Sequence, residues 1–203
     1  MAAVLLLVAA YLLGSIPAAY IAGRAVRGID LRQHGSGNLG ATNVYRVLGA
    51  WVAGAVLLFD AAKGFIPTFF FPRLTGAPHA AWWAVAYGVA AILGHARPAW
   101  LLWRGGGKGV ATAAGVFLAL APLPVAMAII VWAAVLAASG YVSLASLVAA
   151  VVLPIALGAV EGVRSPAFAL SVLIALFVFW THRANIRRLP RGEEHRFGRR
   201  AAT

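Results

Sequence analysis

Long apolar stretches separated by short polar loops constrain this chain more than any other feature. A transmembrane helix needs about 20 mainly apolar residues, with a range of roughly 17–25. Of the 203 residues, 63% are hydrophobic and 11% are charged, whereas soluble domains have roughly 45–50% and about 25%. We therefore expect a polytopic membrane protein. The candidate spans are Ala3–Ala22, Trp51–Phe71, His79–Leu93, Ser143–Val160 and Pro166–His182.

A further apolar stretch, Val110–Ala138, contains Pro122 and Pro124. Because proline ends or kinks a helix, this stretch is expected to form a tight hairpin of two helices. The predicted fold class is an all-α membrane bundle of seven transmembrane helices, with five as the alternative. We expect a single domain, 1–203, whose polar loops are 23–46, 94–112, 139–146 and 181–203.

The basic residues predict the orientation of the bundle, since Lys and Arg are enriched in cytoplasmic loops. With alternating spans, only Arg73 and Arg164 fall on one side. The N-terminus is therefore expected outside and the C-terminus in the cytoplasm, with Met1–Tyr20 as a retained span rather than a signal peptide. The other side receives Arg24, Arg27, Arg32, Arg46, Arg97, Arg104, Lys108, Arg183, Arg187, Arg188, Arg191, Arg196, Arg199 and Arg200.

The net charge of +12 would also suit a nucleic-acid-binding protein. The basic residues lie in the gaps between apolar stretches, however, which favours contact with a lipid bilayer and no nucleic acid. The chain has no cysteine, and this excludes disulfides, zinc–thiolate sites and a cysteine nucleophile. Acidic residues are scarce in the polar loops, so no metal site is expected.

The polar segment Asp30–Arg46 reads DLRQHGSGNLGATNVYR. Its glycines can adopt positive φ and let backbone N–H groups converge on an anion. Side chains in the segment add hydrogen-bond donors and a guanidinium suited to phosphate. The pattern predicts a phosphate-binding loop rather than an ordinary flexible linker. Its candidate residues are Gly35, Ser36, Gly37, Asn38, Thr42, Asn43 and Arg46.

A second segment, Gly94–Thr112, contains the run Gly105-Gly106-Gly107-Lys108-Gly109 directly before an apolar helix. Such a loop presents N–H groups and the positive end of the helix dipole to a phosphate. It is not a Walker A motif, because Leu102 replaces the first glycine and Gly109 stands where Ser or Thr should bind magnesium. Within this segment, His95 is interpreted equally well as a packed interfacial histidine or as a catalytic one.

The third polar segment, Thr181–Glu194, reads THRANIRRLPRGEE. If the last apolar helix continues here, His182 and Asn185 share one face. Either Glu193 or Glu194 can pair with basic side chains of the other loops. All three segments are expected at the cytoplasmic interface.

Two smaller features lie at the ends and inside the apolar stretches. Ser143 and Ser146 share a helix face after Tyr141, where packing between helices is favoured over ligand binding. Asp60 and Lys63 lie three apart inside the second stretch and are expected to form an intramembrane ion pair with a structural role.

Four segments together resemble the bacterial acyl-phosphate–glycerol-3-phosphate acyltransferases: GSGNLGATNVYR, GGGKGVAT, YVSLAS and THRANIRRL…GEE. The resemblance spans nearly the whole chain, although the family usually has two glycines before the lysine and this chain has three. It implies transfer of an acyl group from a fatty acyl phosphate, not acyl-CoA or acyl carrier protein, to the 1-hydroxyl of glycerol 3-phosphate. The products would be lysophosphatidate and phosphate, at the first acylation step of phospholipid synthesis.

The resemblance also implies the bacterial inner membrane, a cytoplasmic active site, no cofactor and functional coupling to the enzyme that makes acyl phosphate. Soluble-type glycerolipid acyltransferases have a histidine and an aspartate separated by four residues. None of the five histidines here is followed by an aspartate at that spacing.

Because an acyl phosphate carries a good leaving group, proximity and charge stabilisation are expected to suffice for catalysis. His182 is the candidate general base, with the donor's phosphate as the alternative. A Ser36 acyl-enzyme, with His34 as its base, is disfavoured. Phosphate binding is assigned to Ser36, Asn43, Arg46, Gly107 and Lys108, with Asn185 as a further substrate contact. The remaining substrate-binding candidates are Gly35, Gly37, Asn38, Thr42, Gly105, Gly106, Gly109, Ser143, Ser146, Arg183 and Glu194, the last favoured over Glu193 by the family spacing.

Two other classes of function stay open at this point. A transporter of a small phosphate compound should have polar or broken-helix features near the bilayer midplane. Only Asp60 with Lys63, and the break at Pro122 and Pro124, suggest them. A non-catalytic membrane scaffold would not need the glycine and asparagine clusters.

Overall fold

The computed structural model describes residues 1–76 and 78–198. Arg199 and Arg200, assigned to the cytoplasmic side from the sequence, lie outside the described residues. The described chain is helical and contains no strand. The helices are α1 (Ala2–Gly14), α2 (Ala18–Arg27), α3 (Ala41–Leu48), α4 (Ala50–Thr75), α5 (Ala80–Ala96), α6 (Val110–Leu120), α7 (Pro122–Ser139), α8 (Val142–Val160), α9 (Pro166–Thr181) and α10 (Arg183–Arg188), with 3₁₀ turns at Leu31–Gln33 and Ala99–Leu101.

Four segments of the described chain are long and apolar enough to cross a membrane, and two apolar helices are shorter. The 11-residue α6 is only about 16 Å long, against a hydrocarbon core of ~30 Å. The protein is an integral membrane protein, while the count of seven spans and the positions of the termini stay predictions. The four segments are Ala2–Arg27, Ala50–Thr75, Pro122–Ser139 and Val142–Val160; the shorter helices are Val110–Leu120 and Pro166–Thr181.

The first of these segments is interrupted at Pro17, which separates α1 from α2. Proline has no backbone N–H to continue the helical hydrogen bonds. At this break, Nζ of Lys63 donates to the carbonyl oxygen of Ile16 at 2.9 Å. A side chain from α4 therefore satisfies backbone that the broken helix exposes. The sequence predicted an uninterrupted Ala3–Ala22 span and missed this break.

The stretch 110–138 is divided as the prolines predicted, since α6 ends at Leu120 and α7 begins at Pro122. Pro122 stands in the first turn of α7, where a missing N–H costs nothing. At the other end of the chain, α9 stops at Thr181 and a short α10 follows at Arg183. The last helix thus does not continue unbroken through His182.

The chain forms two compact units, one over Met1–Leu120 and one over Ala121–Thr203. The single-domain organisation stays a prediction. In the first unit, α4 packs against α1, α2, α3, α5 and α6. In the second unit, α8 packs against both α7 and α9. The polar segments described above connect or follow these helices.

Glycines allow α4 and α6 to approach closely. A Cβ added at Gly64 of α4 would lie well inside 3.0 Å of the carbonyl oxygen of Thr112, and one at Gly115 of α6 would overlap the backbone of Ala61. Small residues of this kind let membrane helices pack backbone against backbone. The beginning of α6, which follows the glycine loop, is therefore fixed against α4.

Substitution of Gly64 by alanine is expected to destabilise the first unit, because its Cβ has no room against Thr112. Overpacking of this kind costs about 1–3 kcal/mol of unfolding free energy, which a thermal unfolding curve in detergent would show as a lower Tm. Gly54→Ala in the same helix is the matched control, since a Cβ there meets nothing within 4 Å. An equal Tm for both variants would contradict the close packing.

Candidate functional site

The first polar loop begins with a charged turn. The carboxylate of Asp30 accepts a hydrogen bond from the backbone N–H of Arg32 at 3.0 Å. It also binds the guanidinium of Arg32, with Nη2 to Oδ2 at 2.6 Å. The hydrogen bonds from Arg32 hold the pKa of Asp30 at about 2, although burial opposes the shift. The carboxylate of Asp30 is therefore ionised at neutral pH and paired with the guanidinium of Arg32.

Asn43 holds the centre of this loop from the first turn of α3. Its Oδ1 accepts from the backbone N–H of Ser36 at 2.8 Å, and its Nδ2 donates to the carbonyls of His34 at 3.0 Å and Leu31 at 3.3 Å. The side chain is 1% exposed. Gly35 has φ +63°, and a Cβ there would overlap Asn43 Oδ1. The loop is folded around the amide of Asn43.

The other candidates of the first loop lie around this amide. Ser36 and Arg46 are exposed, and Asn38 and Thr42 are half-buried. Gly37 has φ +70°, which supports the predicted need for glycine at this position. Ser36 therefore lies at the surface of the loop, and Arg46 lies at the surface of α3.

The glycine loop lies on the C-terminal end of α5. The backbone N–H of Gly107 donates to the carbonyl of His95 at 3.2 Å. A Cβ at Gly106 would overlap the carbonyl oxygen of Ala96, and one at Gly107 would overlap the imidazole of His95. Gly105 and Gly109 instead have φ of +82° and +80°. The loop thus needs glycine for two reasons, close approach and backbone conformation.

The two loops are joined by hydrogen bonds. The backbone N–H of Leu39 donates to the carbonyl of Gly106 at 3.2 Å, and Nη1 of Arg32 donates to the carbonyl of Arg104 at 3.3 Å. The prediction that the first two polar segments face each other is confirmed. Lys108 is half-buried at the end of the glycine loop, one residue before the last glycine.

In the second unit, Glu194 is the centre of a separate polar cluster. Its Oε1 accepts from Nδ2 of Asn185 at 2.7 Å and from the hydroxyl of Ser143 at 3.2 Å. Its Oε2 accepts from Nε of Arg188 at 2.8 Å. Burial raises the pKa of Glu194, but the hydrogen bonds from Asn185 and Arg188 outweigh it, so that the net pKa is lowered. Glu194 is charged and internally paired.

His182 is buried where α9 gives way to α10. Its Nδ1 lies 2.8 Å from the carbonyl oxygen of Val178. Because a carbonyl can only accept, this contact assigns the proton to Nδ1 and leaves the lone pair of the neutral ring on Nε2. Three residues later, Asn185 contributes its amide to the Glu194 cluster.

The remaining candidates of the second unit have partners of their own. The hydroxyl of Ser146 donates to the carbonyl of Val142 and accepts from Nε1 of Trp132. Arg183 is exposed, donates to the carbonyl of Trp180 and lies over its ring. The contacts of Ser146 agree with the packing interpretation that the sequence favoured, whereas Ser143 belongs to the Glu194 cluster.

Three supporting residues were missed as such from the sequence. Arg32 and Arg188 were counted only as basic loop residues, and each holds a buried carboxylate. His95 was left open, and it supports the glycine loop. The spacing of Asp30 and Arg32 could have predicted their ion pair, because the two residues are close in the chain. Contacts between different elements leave no such signal in a single sequence.

The structure thus defines an integral membrane protein with paired glycine-rich loops of the kind that bind anions. Residues 4–192 match the family model of glycerol-3-phosphate acyltransferases. A glycerol-3-phosphate acyltransferase of Geobacter sulfurreducens is 46% identical over 189 residues, covering 93% of this chain and 94% of the relative. One from Synechococcus sp. is 46% identical over 199 residues, covering 98% and 96%.

Two solved structures are similar to the whole chain. The crystal structure of PlsY, an integral membrane glycerol 3-phosphate acyltransferase, in its glycerol 3-phosphate form superposes with a TM-score of 0.87 at 38% identity. The lysophosphatidic acid form gives 0.85 at 37% identity. Each comparison covers 98% of this chain and 96% of the other. The chain belongs to the glycerol-3-phosphate acyltransferase family, of the PlsY type.

Substitution of Glu194 by glutamine is expected to destabilise the second unit, because a neutral amide cannot accept the same charge-assisted bonds from Asn185 and Arg188. The loss should be about 2 kcal/mol of unfolding free energy, measured as a lower Tm in detergent. Glu193→Gln, at the exposed neighbouring position, should leave the Tm unchanged. Equal losses for the two variants would contradict the role of Glu194.

The Tm difference between the wild type and Glu194→Gln is also expected to depend on pH. Because the folded pKa of Glu194 is lowered, its contribution is present above the unfolded pKa of about 4.3 and is lost as the pH falls through the folded value. The Tm difference between the wild type and Glu194→Gln should therefore shrink below that pH. A difference that grew on acidification would contradict the assignment.

Proposed function

We propose that this chain transfers the acyl group of a fatty acyl phosphate to the 1-hydroxyl of glycerol 3-phosphate. The hydroxyl oxygen attacks the carbonyl carbon, the bond from that carbon to the phosphate oxygen breaks, and inorganic phosphate leaves. The products are 1-acyl-glycerol 3-phosphate and phosphate. The site of the reaction is the cytoplasmic face of the bacterial inner membrane.

The observation that carries the proposal is the hydrogen-bonded pair of glycine-rich loops in the first unit. Leu39 and Gly106 join them. Each loop has glycine where its backbone packs most closely against neighbouring atoms, so that a Cβ would not fit there. Backbone N–H groups together with cationic side chains are the donors that phosphate groups prefer. We assign phosphate binding to this pair through Ser36, Arg46 and Lys108.

We give the buried polar residues a supporting task instead of direct contact with phosphate. The amide of Asn43 holds three backbone groups of the first loop, so its effect on phosphate is exerted through the placement of Ser36. Glu194 likewise orients Asn185 and Ser143. Placement of the binding groups matters, because a displacement of about 1 Å can cost up to 10²-fold.

His182 is proposed as the general base that receives the proton of the 1-hydroxyl. Its Nδ1 contact with the carbonyl of Val178 places the basic lone pair on Nε2. A carbonyl partner also fixes the orientation of the ring, as general-base histidines require. The phosphate of the donor is the alternative acceptor of the proton.

The acyl-phosphate donor is proposed on chemical grounds. Phosphate is a good leaving group from a mixed anhydride, so no covalent intermediate on the protein is needed. Binding both substrates side by side then supplies much of the acceleration, and cations stabilise charge on the carbonyl oxygen and the departing phosphate. The same reasoning makes the enzyme dependent on another that forms acyl phosphates. Family membership favours this activity over a transporter or a scaffold.

The donor is tested with purified protein in lipid. Palmitoyl phosphate with glycerol 3-phosphate is expected to give lysophosphatidate and phosphate in equal amounts. Palmitoyl-CoA and palmitoyl-acyl carrier protein should give neither lysophosphatidate nor free carrier. Product formed from either thioester, but not from the acyl phosphate, would overturn the donor assignment while leaving the acyltransferase class intact.

The proposed division of labour predicts different kinetic effects. Lys108→Met is expected to raise the KM for glycerol 3-phosphate roughly 10- to 100-fold, since a charged hydrogen bond is worth about 1.5–3 kcal/mol. His182→Gln is expected to lower kcat by roughly 10²–10⁴-fold with little change in KM. His195→Gln, at an exposed position, is the control for the histidine variant. An unchanged kcat in His182→Gln would assign the proton to the donor's phosphate instead.

A further inference from the structure

A row of buried ionisable side chains lies beneath the glycine loop, within the first unit. Asp60 and Lys63 are each 2% exposed and His95 is 6% exposed. Nζ of Lys63 lies 2.7 Å from Oδ1 of Asp60, which confirms the ion pair expected from the sequence. Nδ1 of His95 lies 3.5 Å from the same oxygen. The pair is therefore part of a larger cluster that reaches from α4 to α5.

The imidazole of His95 joins this cluster to the loop. One ring nitrogen, Nδ1, faces the carboxylate of Asp60, while the other, Nε2, is the atom that a Cβ at Gly107 would strike first. The backbone of His95 is engaged as well, because its carbonyl accepts from the N–H of Gly107 at 3.2 Å. The residue before Lys108 thus rests on both the main chain and the ring of His95.

The other end of the cluster is equally fixed. Lys63 donates to the carbonyl of Ile16 at the break before Pro17, so the carboxylate of Asp60 cannot move without disturbing α1 and α2. The carboxylate of Asp60, which is held by Lys63, lies 3.5 Å from Nδ1 of His95 and favours this orientation of the ring. The chain of contacts runs from the first helix pair through Lys63, Asp60 and His95 to Gly107.

We propose that His95, oriented by Asp60 and Lys63, is the positioning residue that seats the glycine loop for the phosphate of the acceptor substrate. The proposal rests on the proposed function, since it names how one part of that site is held. His95 acts through Gly107 and Lys108 and takes no proton from the substrate. An ion pair serving only the stability of the helices would need Asp60 and Lys63 alone.

The first test removes the ring beneath the loop. His95→Asn is expected to raise the KM for glycerol 3-phosphate roughly tenfold or more, because a displacement of about 1 Å can cost up to 10²-fold. The kcat should stay within about threefold, since the base is elsewhere. His79→Asn is the matched control at the opposite end of α5, where the left-handed φ of 61° suits asparagine. An unchanged KM in His95→Asn would overturn the proposal.

A variant with a neutral replacement of the ion pair distinguishes an effect on folding from an effect on the positioning of His95. Asp60→Asn with Lys63→Met removes both charges together, so no unpaired charge stays buried. Because the methionine of Lys63→Met cannot donate to the carbonyl oxygen of Ile16, this double variant is expected to have a lower Tm, so its KM for glycerol 3-phosphate is measured well below that Tm, where we expect it to be raised. A wild-type KM in a folded double variant would overturn the role of Asp60 in orienting His95.

The contact between the ring and the loop is tested by a double-mutant cycle. Gly107→Ala places a methyl group against the imidazole, and His95→Ala empties the space that this methyl group needs. The loss of affinity for glycerol 3-phosphate in the combined variant is therefore expected to be smaller than the product of the two single-variant losses. Effects that simply multiply would contradict direct packing of His95 on Gly107.

Equilibrium binding makes failure of this proposal distinguishable from failure of the proposed function. Glycerol 3-phosphate and inorganic phosphate are titrated calorimetrically into the wild type, His95→Asn and His79→Asn, with no acyl donor present. Weaker binding only in His95→Asn supports the positioning role even where turnover of palmitoyl phosphate is absent. Equal binding in all three proteins overturns it even where turnover is normal.

Discussion

The first unit depends on the two contacts that the ammonium group of Lys63 makes. A charged amine within a membrane span is costly unless it is paired, and here it contacts both the carboxylate of Asp60 and the carbonyl of Ile16. The second contact answers a separate need, because broken helices in a membrane are tolerated only where their freed backbone groups find partners. One side chain therefore makes two unfavourable features compatible, the buried Asp60 and the break at Pro17.

In the polar loops, too, one buried side chain pairs with several groups. Before these loops can bind a ligand, their own backbone groups must be paired at the edge of an apolar medium. Asn43 does this in the first unit, where one amide pairs with three backbone groups. In the second unit Glu194 instead pairs with polar side chains, since its one carboxylate accepts from three of them. These buried residues fix the geometry of their segments, whereas Ser36 and Lys108 are more exposed.

Much of this architecture could be predicted from the sequence, because the signals are local. Apolar length located the helices, the prolines located the division at 120–122, and the spacing of Asp60 and Lys63 indicated their ion pair. The glycine-rich motifs located both loops and suggested that they face each other. Apart from the facing of the two loops, which follows from placing both on one side of the membrane, each of these inferences uses residues close in the chain, where helix periodicity and backbone constraints apply directly.

The remainder depends on contacts between distant residues. Lys63 with Ile16, His95 with Gly107, and Ser143 with Glu194 join elements whose relative placement only the folded chain defines. The break at Pro17 was missed because proline near the end of an apolar stretch also fits a continuous span followed by a loop. The contacts of the Asn43 amide with the backbone of Leu31, His34 and Ser36 likewise had no signal in the sequence, whereas its assignment to phosphate stays a prediction.

The glycine loop shows why a motif and its physical meaning can differ. Three consecutive glycines before Lys108 suggest flexibility, yet each has its own constraint. Gly105 needs a positive φ, Gly106 lies against the carbonyl of Ala96, and Gly107 lies against the ring of His95. A loop restrained at every position loses little conformational entropy when a phosphate binds, because that entropy has already been lost in folding. The run of glycines is thus a packing requirement, and it restrains the backbone that leads into Lys108.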